Sequence, residues 1–142
     1  MGHTQPSIQL ELCNGADSTR RLRAELDRIA SACDLTGGAR FDLKLAATEA
    51  LTNALKGASD QHSVHVLISG RAGAVDVEIT DRGHFRPPVR PEQSALDAEG
   101  GRGIPLMLAL VDEVEFSSFH DGTRVRMSKR VPRSGEGGPP AF

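Results

Sequence analysis

A carboxylate and a carboxamide one helical turn apart can orient a nucleophile and help hold a hydrated divalent ion. Glu49 and Asn53 have that spacing within FDLKLAATEALTNALKGA. Residues four apart share a helix face. Asp42 and Lys56 fall on that same face, opposite the stripe of Leu43, Ala50 and Ala54. By periodicity alone this is a solvated polar face, and nothing local demands the chemical reading.

Asp81 continues the phase of Val75, Val77 and Ile79, and an extended backbone turns its carboxylate towards the core side. Gly83 follows two residues later and permits a tight turn. Asp81 is therefore either a strand-ending residue turned outward or a buried acceptor at a pocket rim. Gly100-Gly101-Arg102-Gly103 precedes a short apolar run. Glycines at a helix start let a ligand reach exposed N–H groups at the positive end of the dipole, which suits phosphate. A loop hinge would use the same residues. The P-loop pattern GxxxxGK[ST] is absent, and the glycines do not directly follow a strand as a dinucleotide-binding turn would. Gly122-Thr123 enters the last strand, with Thr123 in phase with Val125 and Met127.

These residues need elements to hold them. Ile8, Leu10 and Leu12 alternate over Ser7–Leu12 and predict a strand. Asn14-Gly15 breaks it, Asp17 is placed to cap a helix carrying Leu22, Leu26, Ile29 and Cys33, and Gly37-Gly38 is expected to end that helix. A second helix is expected from about Phe41 to Ala58, burying Leu43, Ala47, Ala50, Leu51, Ala54 and Leu55. Val64–Ile68 and Val75–Ile79 predict a hairpin turning at Ala72-Gly73. Proline and glycine mark Gly83–Arg102 as a long loop, read as a mobile lid. Ile104–Leu110 is a short apolar helix, and two strands around His120-Asp121-Gly122 close the chain. The order β, α, α, β, β, loop, α, β, β predicts an α+β layer, with helices on one face of a mixed sheet.

Composition bounds the rest. The 142 residues suit one domain with a single core, and 38% hydrophobic and 25% charged content is ordinary for a globular protein. The net charge of −2 carries no basic block, so direct nucleic-acid binding is not expected. The longest apolar run, Gly103–Val111, is too short to cross a bilayer. The opening MGHTQPSIQLEL lacks the basic-then-apolar layout of a secretory signal, and the expectation is a cytoplasmic protein without a membrane partner. Cys13 and Cys33 match no metal or redox spacing, and the five histidines form no HExxH cluster.

Read together, TEALTNALKGA, VEITDRG, GGRGIPLMLALVDEV and DGTRVRM resemble the four ATP-site boxes of the ATPase class shared by gyrase, histidine kinases and MutL. Within that class the chain is similar to the anti-sigma-factor serine kinases, from about Ser7 to Val131. The resemblance implies the Bergerat fold, a two-layer sandwich, over residues 1–131, and the composition of PRSGEGGPPAF makes 132–142 an expected disordered tail. The resemblance also implies a serine/threonine protein kinase using ATP and Mg²⁺, whose substrate is a STAS-domain anti-sigma-factor antagonist and which also sequesters a sigma factor, commonly as a homodimer. Glu49 would be the base that activates the attacking hydroxyl, and Asn53 would coordinate Mg²⁺. Asp81 would accept the adenine amino group, with Thr123 supporting it through water. Gly83 would leave room for the ring, and Gly101 and Gly103 would let the chain wrap the phosphates. Lys56 and Arg102 join the nucleotide-binding set. The family's usual His after the Lys of the first box is Gly57 here, and its DxGxGF box reads DRGHF, continuing into an RPP segment found in actinobacterial relatives. Two alternatives remain: a non-catalytic ATP-binding partner-switch module, and a kinase acting on a STAS scaffold without binding a sigma factor.

Overall fold

A computed structural model describes residues 5–57, 63–71, 73–82, 103–119 and 122–131. In chain order the elements are β1 (Ser7–Leu12), α1 (Ala16–Ala32), α2 (Gly37–Gly57), β2 (Val64–Arg71), β3 (Ala74–Arg82), α3 (Gly103–Leu110), β4 (Glu113–Phe119) and β5 (Gly122–Arg130). The expected lid over 83–102 and the expected tail over 132–142 lie outside the described residues.

The strands form one sheet in the order β1-β2-β3-β5-β4, and all four pairings are antiparallel. The expected mixed sheet is thereby corrected. Passage through α3 does bring the chain back along β4 in the direction of β3, but β5 inserts between those two strands, so no parallel pair forms among the described residues. Alternation then sorts the side chains. Leu10, Leu12, Val64, Val66, Ile68, Val75, Val77, Ile79 and Met127 are buried in the core cluster with the helices. The alternate positions of β3 and β5 carry Asp76, Glu78 and Thr80 opposite Ser128, Arg126 and Arg124. On this second face the Ser128 hydroxyl donates to Asp76, and Arg71 Nε donates to the other oxygen of the same carboxylate at 2.9 Å, tying three strands together.

The helices form the second layer. In α1, Leu22, Leu26, Ile29 and Ala30 point inward, and α1 packs over β1 and β2. Asp17 is not its cap: Gly15 occupies that position with no side-chain cap, and Asp17 sits in the first turn paired with Arg20. There its charge favours the positive helix end, and Arg20 holds its carboxyl below the ordinary value. Nor do Gly37-Gly38 end the helix. Asp34 takes the left-handed position at φ 62, Leu35 N–H bonds the Ala30 carbonyl at 2.9 Å, and the Leu35 side chain is fully buried. This is the closing pattern usually given to glycine. Gly37 instead opens α2, earlier than Phe41. The wide stripe Leu43, Ala46, Ala47, Ala50, Leu51 and Leu55 buries α2 against β3 and β5.

Gly70 on β2 records how closely the layers meet. A Cβ there would overlap the Cys33 Sγ and come within 3.2 Å of Pro6 Cγ. Cys33 is half-buried, and its thiol is pushed up chiefly by burial, with the Asp34 charge adding to the effect.

Two outcomes are expected. Gly70→Ala should destabilise the fold by about 1–3 kcal/mol, the usual cost of overpacking. Adding Cys33→Ala should recover part of that loss in urea unfolding; no recovery would place the strain elsewhere. At mildly alkaline pH, iodoacetamide should label the exposed Cys13 several-fold faster than Cys33 on tryptic mapping, because a raised pKa leaves less thiolate.

Candidate functional site

The central helix α2 carries Glu49 and Asn53 on its polar side, both half-buried, with Asp42 half-buried and Lys56 exposed. A plain solvated face would leave all four open. The C-terminal turn just beyond Asn53 is anchored, since Asn14 Nδ2 donates to the Leu55 carbonyl at 3.3 Å across 41 residues of sequence. That carbonyl would otherwise be among the orphan acceptors of a helix end. On the other side, Asp27 of α1 receives Lys44 Nζ at 3.0 Å and faces Arg40 at 3.7 Å. Such partly exposed pairs add little stability, about 0–1 kcal/mol each. They do fix how α2 lies against α1.

Asp81 lies at the end of β3 and is only 2% exposed. It keeps the inward phase of Val75, Val77 and Ile79, which decides between its two readings: the carboxylate is buried, not turned out. Its ladder neighbours are Val64 on β2 and Thr123 on β5, so the two polar residues expected at one site stand directly opposite each other. Facing residues in an antiparallel pair have Cβ atoms about 4.5–5.5 Å apart. Burying a carboxylate is costly, and a buried polar group is a more informative observation than an exposed apolar one.

Gly103 is the first residue of α3, whose Met107 is buried in the core. Gly83, Gly101 and Arg102 lie outside the described residues. Among the described residues no three or more His, Cys, Asp or Glu side chains gather as a metal cluster. Mg²⁺ keeps several waters and takes few protein ligands when phosphate oxygens supply the rest, so a half-buried amide oxygen with a carboxylate one turn away fits it. The same donors do not fit a four-ligand zinc site.

Two residues at the far end of the same layer were not singled out for a site together. Lys129 of β5 donates to the Leu110 carbonyl at 2.7 Å, and its ammonium lies 3.7 Å from Asp42. A signal was available: Lys129 is in phase with Thr123, Val125 and Met127, and a charge in a core-facing phase calls for partners.

Residues 14–129 match the family described as "Histidine kinase-like ATPase domain". The serine-protein kinase RsbW of Staphylococcus epidermidis is 27% identical over 148 residues, covering 94% of this chain and 92% of that protein. Among solved structures, that of the RsbU and RsbW domains of a Mycobacterium tuberculosis protein superposes with a TM-score of 0.67. Its identity is 21%, over 89% of this chain and 32% of that one. The histidine kinase domain of a blue-light activated histidine kinase from Erythrobacter litoralis gives a TM-score of 0.53 at 23% identity, over 78% of this chain and 65% of that one. At these identities the two structures speak to the fold alone, and this chain corresponds to part of either.

Proposed function

The chain belongs to the histidine kinase-like ATPase domain family, and from that premise we propose that it is an ATP-dependent serine/threonine protein kinase that doubles as an anti-sigma factor. Its substrate would be a STAS-domain antagonist, its second partner a sigma factor, and its working form a cytoplasmic homodimer. The observation that carries the nucleotide reading is Asp81, 2% exposed and directly across the ladder from Thr123. A buried carboxylate accepts a hydrogen bond from the adenine amino group, and a neighbouring hydroxyl steadies a bridging water. The 27% identity to a serine-protein kinase supports the choice of acceptor, and the intact Glu49 supports catalysis over a purely binding role.

The chemistry asked of the chain is mainly positioning. Phosphoryl transfer forms the serine Oγ–phosphorus bond, breaks the bond to the β-phosphate oxygen and releases ADP, while the hydroxyl proton passes to Glu49. Asn53 would hold Mg²⁺, which supplies neutralisation of phosphate charge when bound. The N-terminal end of α3, opening at Gly103, offers backbone N–H groups to the phosphates. Lys56, exposed in the last turns of α2, stands as a further cation for them, and Gly83, Gly101 and Arg102 complete the set from outside the described residues.

Sequestration and phosphorylation are linked in this reading. Phosphoserine adds about −1.5 to −2 charges at neutral pH. The chain itself carries −2, so a phosphorylated antagonist leaves it more readily, and the sigma factor takes its place.

Three outcomes follow. In calorimetric titration, Asp81→Ala should weaken Mg·ATP binding by about ten- to a hundredfold, the worth of a charged hydrogen bond. Unchanged affinity would remove Asp81 from the site. Glu49→Ala should keep ATP binding yet lose about 10²–10⁴-fold in transfer to a STAS-domain acceptor. A wild type that binds ATP and partners but transfers no phosphate would instead be the non-catalytic switch module. In a competition assay, unphosphorylated antagonist should displace the sigma factor and phosphorylated antagonist should not; equal displacement would overturn the switch.

A further inference from the structure

We propose that Lys129 is a positioning residue that sets α3, and through it the phosphate-binding end of the site, by clamping the helix's opposite end to β5 and α2. The inference rests on the ATP reading above and concerns a residue that touches no nucleotide.

Lys129 is a charged residue in the helix-facing phase of β5, with its side chain 16% exposed. Its ammonium donates to the carbonyl of Leu110, the last residue of α3, at 2.7 Å. That carbonyl lies at the negative end of the helix dipole and has no intrahelical partner to receive. Asp42, near the start of α2, balances the charge from 3.7 Å. The chain just beyond is held as well. Val111 N–H bonds the Met107 carbonyl at 3.2 Å, Asp112 N–H bonds the Ser128 carbonyl at 2.9 Å, and Arg130 N–H donates to the Asp112 carboxylate at 2.6 Å.

This clamp matters because α3 has 8 residues, too few to be stable alone. Its ends are about 12 Å apart at 1.5 Å per residue. It packs along α2, and its C-terminal end is fixed beside Asp42, close to where α2 begins. To make that contact α3 must run back along α2 towards Glu49 and Asn53. By the same rise these lie about 10 and 16 Å further along from Asp42. Holding one end of α3 at Lys129 therefore brings Gly103 to the level of the polar pair. Without the clamp, triphosphate binding has to order the helix first.

The test compares wild type, Lys129→Met, which keeps the stem and loses the charge, Lys129→Arg, and Asp42→Asn. Mg·ATP and adenosine are each titrated by calorimetry, and α3 is followed by hydrogen exchange in nucleotide-free protein. Lys129→Met should lower Mg·ATP affinity about three- to tenfold, leave adenosine affinity unchanged, and speed exchange in α3, in keeping with the loss of one charged helix-end contact. Lys129→Arg should behave as wild type, and Asp42→Asn should move the same readouts less. If Lys129→Met does not fold, Asp42→Asn carries the comparison. Equal losses for ATP and adenosine, the mark of general damage, would overturn the proposal, as would unchanged ATP binding. A wild type that binds neither ligand would overturn the ATP reading and this one together, and is distinguished by that control.

Discussion

In an antiparallel pair, a slip of one residue moves every side chain to the opposite face, and the pairing of β3 with β5 leaves no room for one. A one-residue slip of β5 would take the buried Met127 out from under the helices, and in the observed register Val75, Val77 and Ile79 stand against Lys129, Met127 and Val125. Continuing that register one step brings Asp81 against Thr123. The apolar core thus enforces a polar juxtaposition that its own energetics would not choose. The apolar contacts locked to the same ladder hold Asp81 in that buried position.

The helix-facing side of β3 and β5 has a simple layout. Its middle is apolar, and its ends are not: Asp81 with Thr123 at one, Lys129 at the other. The first end faces the chemistry proposed for the chain, and the second secures the helices above. Helix α2 spans both, with Glu49 and Asn53 in its later turns and Asp42 in its second. The polar side of α2 is best understood as a beam with a load at each end.

Much of this was legible because it is periodic. The alternation of β3 offered an inward Asp81 as one of two readings, which burial then decided, and the helical spacing was enough to align Glu49 with Asn53. What was not legible depends on pairing or on single backbone angles. An antiparallel sheet was expected to be mixed because alternation along a strand says nothing of its neighbours, and the insertion of β5 between β3 and β4 is a long-range choice. The end of α1 was placed at Gly37 because glycine is the usual left-handed residue, whereas Asp34 adopts that conformation and the buried Leu35 secures it. Lys129 and Asp42 lie 87 positions apart, beyond any local pattern.

The contact between Gly70 and Cys33 bears on how such a chain can change over generations. One residue lacks a side chain where the other fills the space, so position 70 does not enlarge while position 33 keeps its thiol. A lineage can enlarge residue 70 only after residue 33 has shrunk, and the reverse order passes through a strained intermediate. The route is directional: the helix must give way before the strand does. Two sites 37 residues apart in the sequence are therefore coupled in the order of their changes.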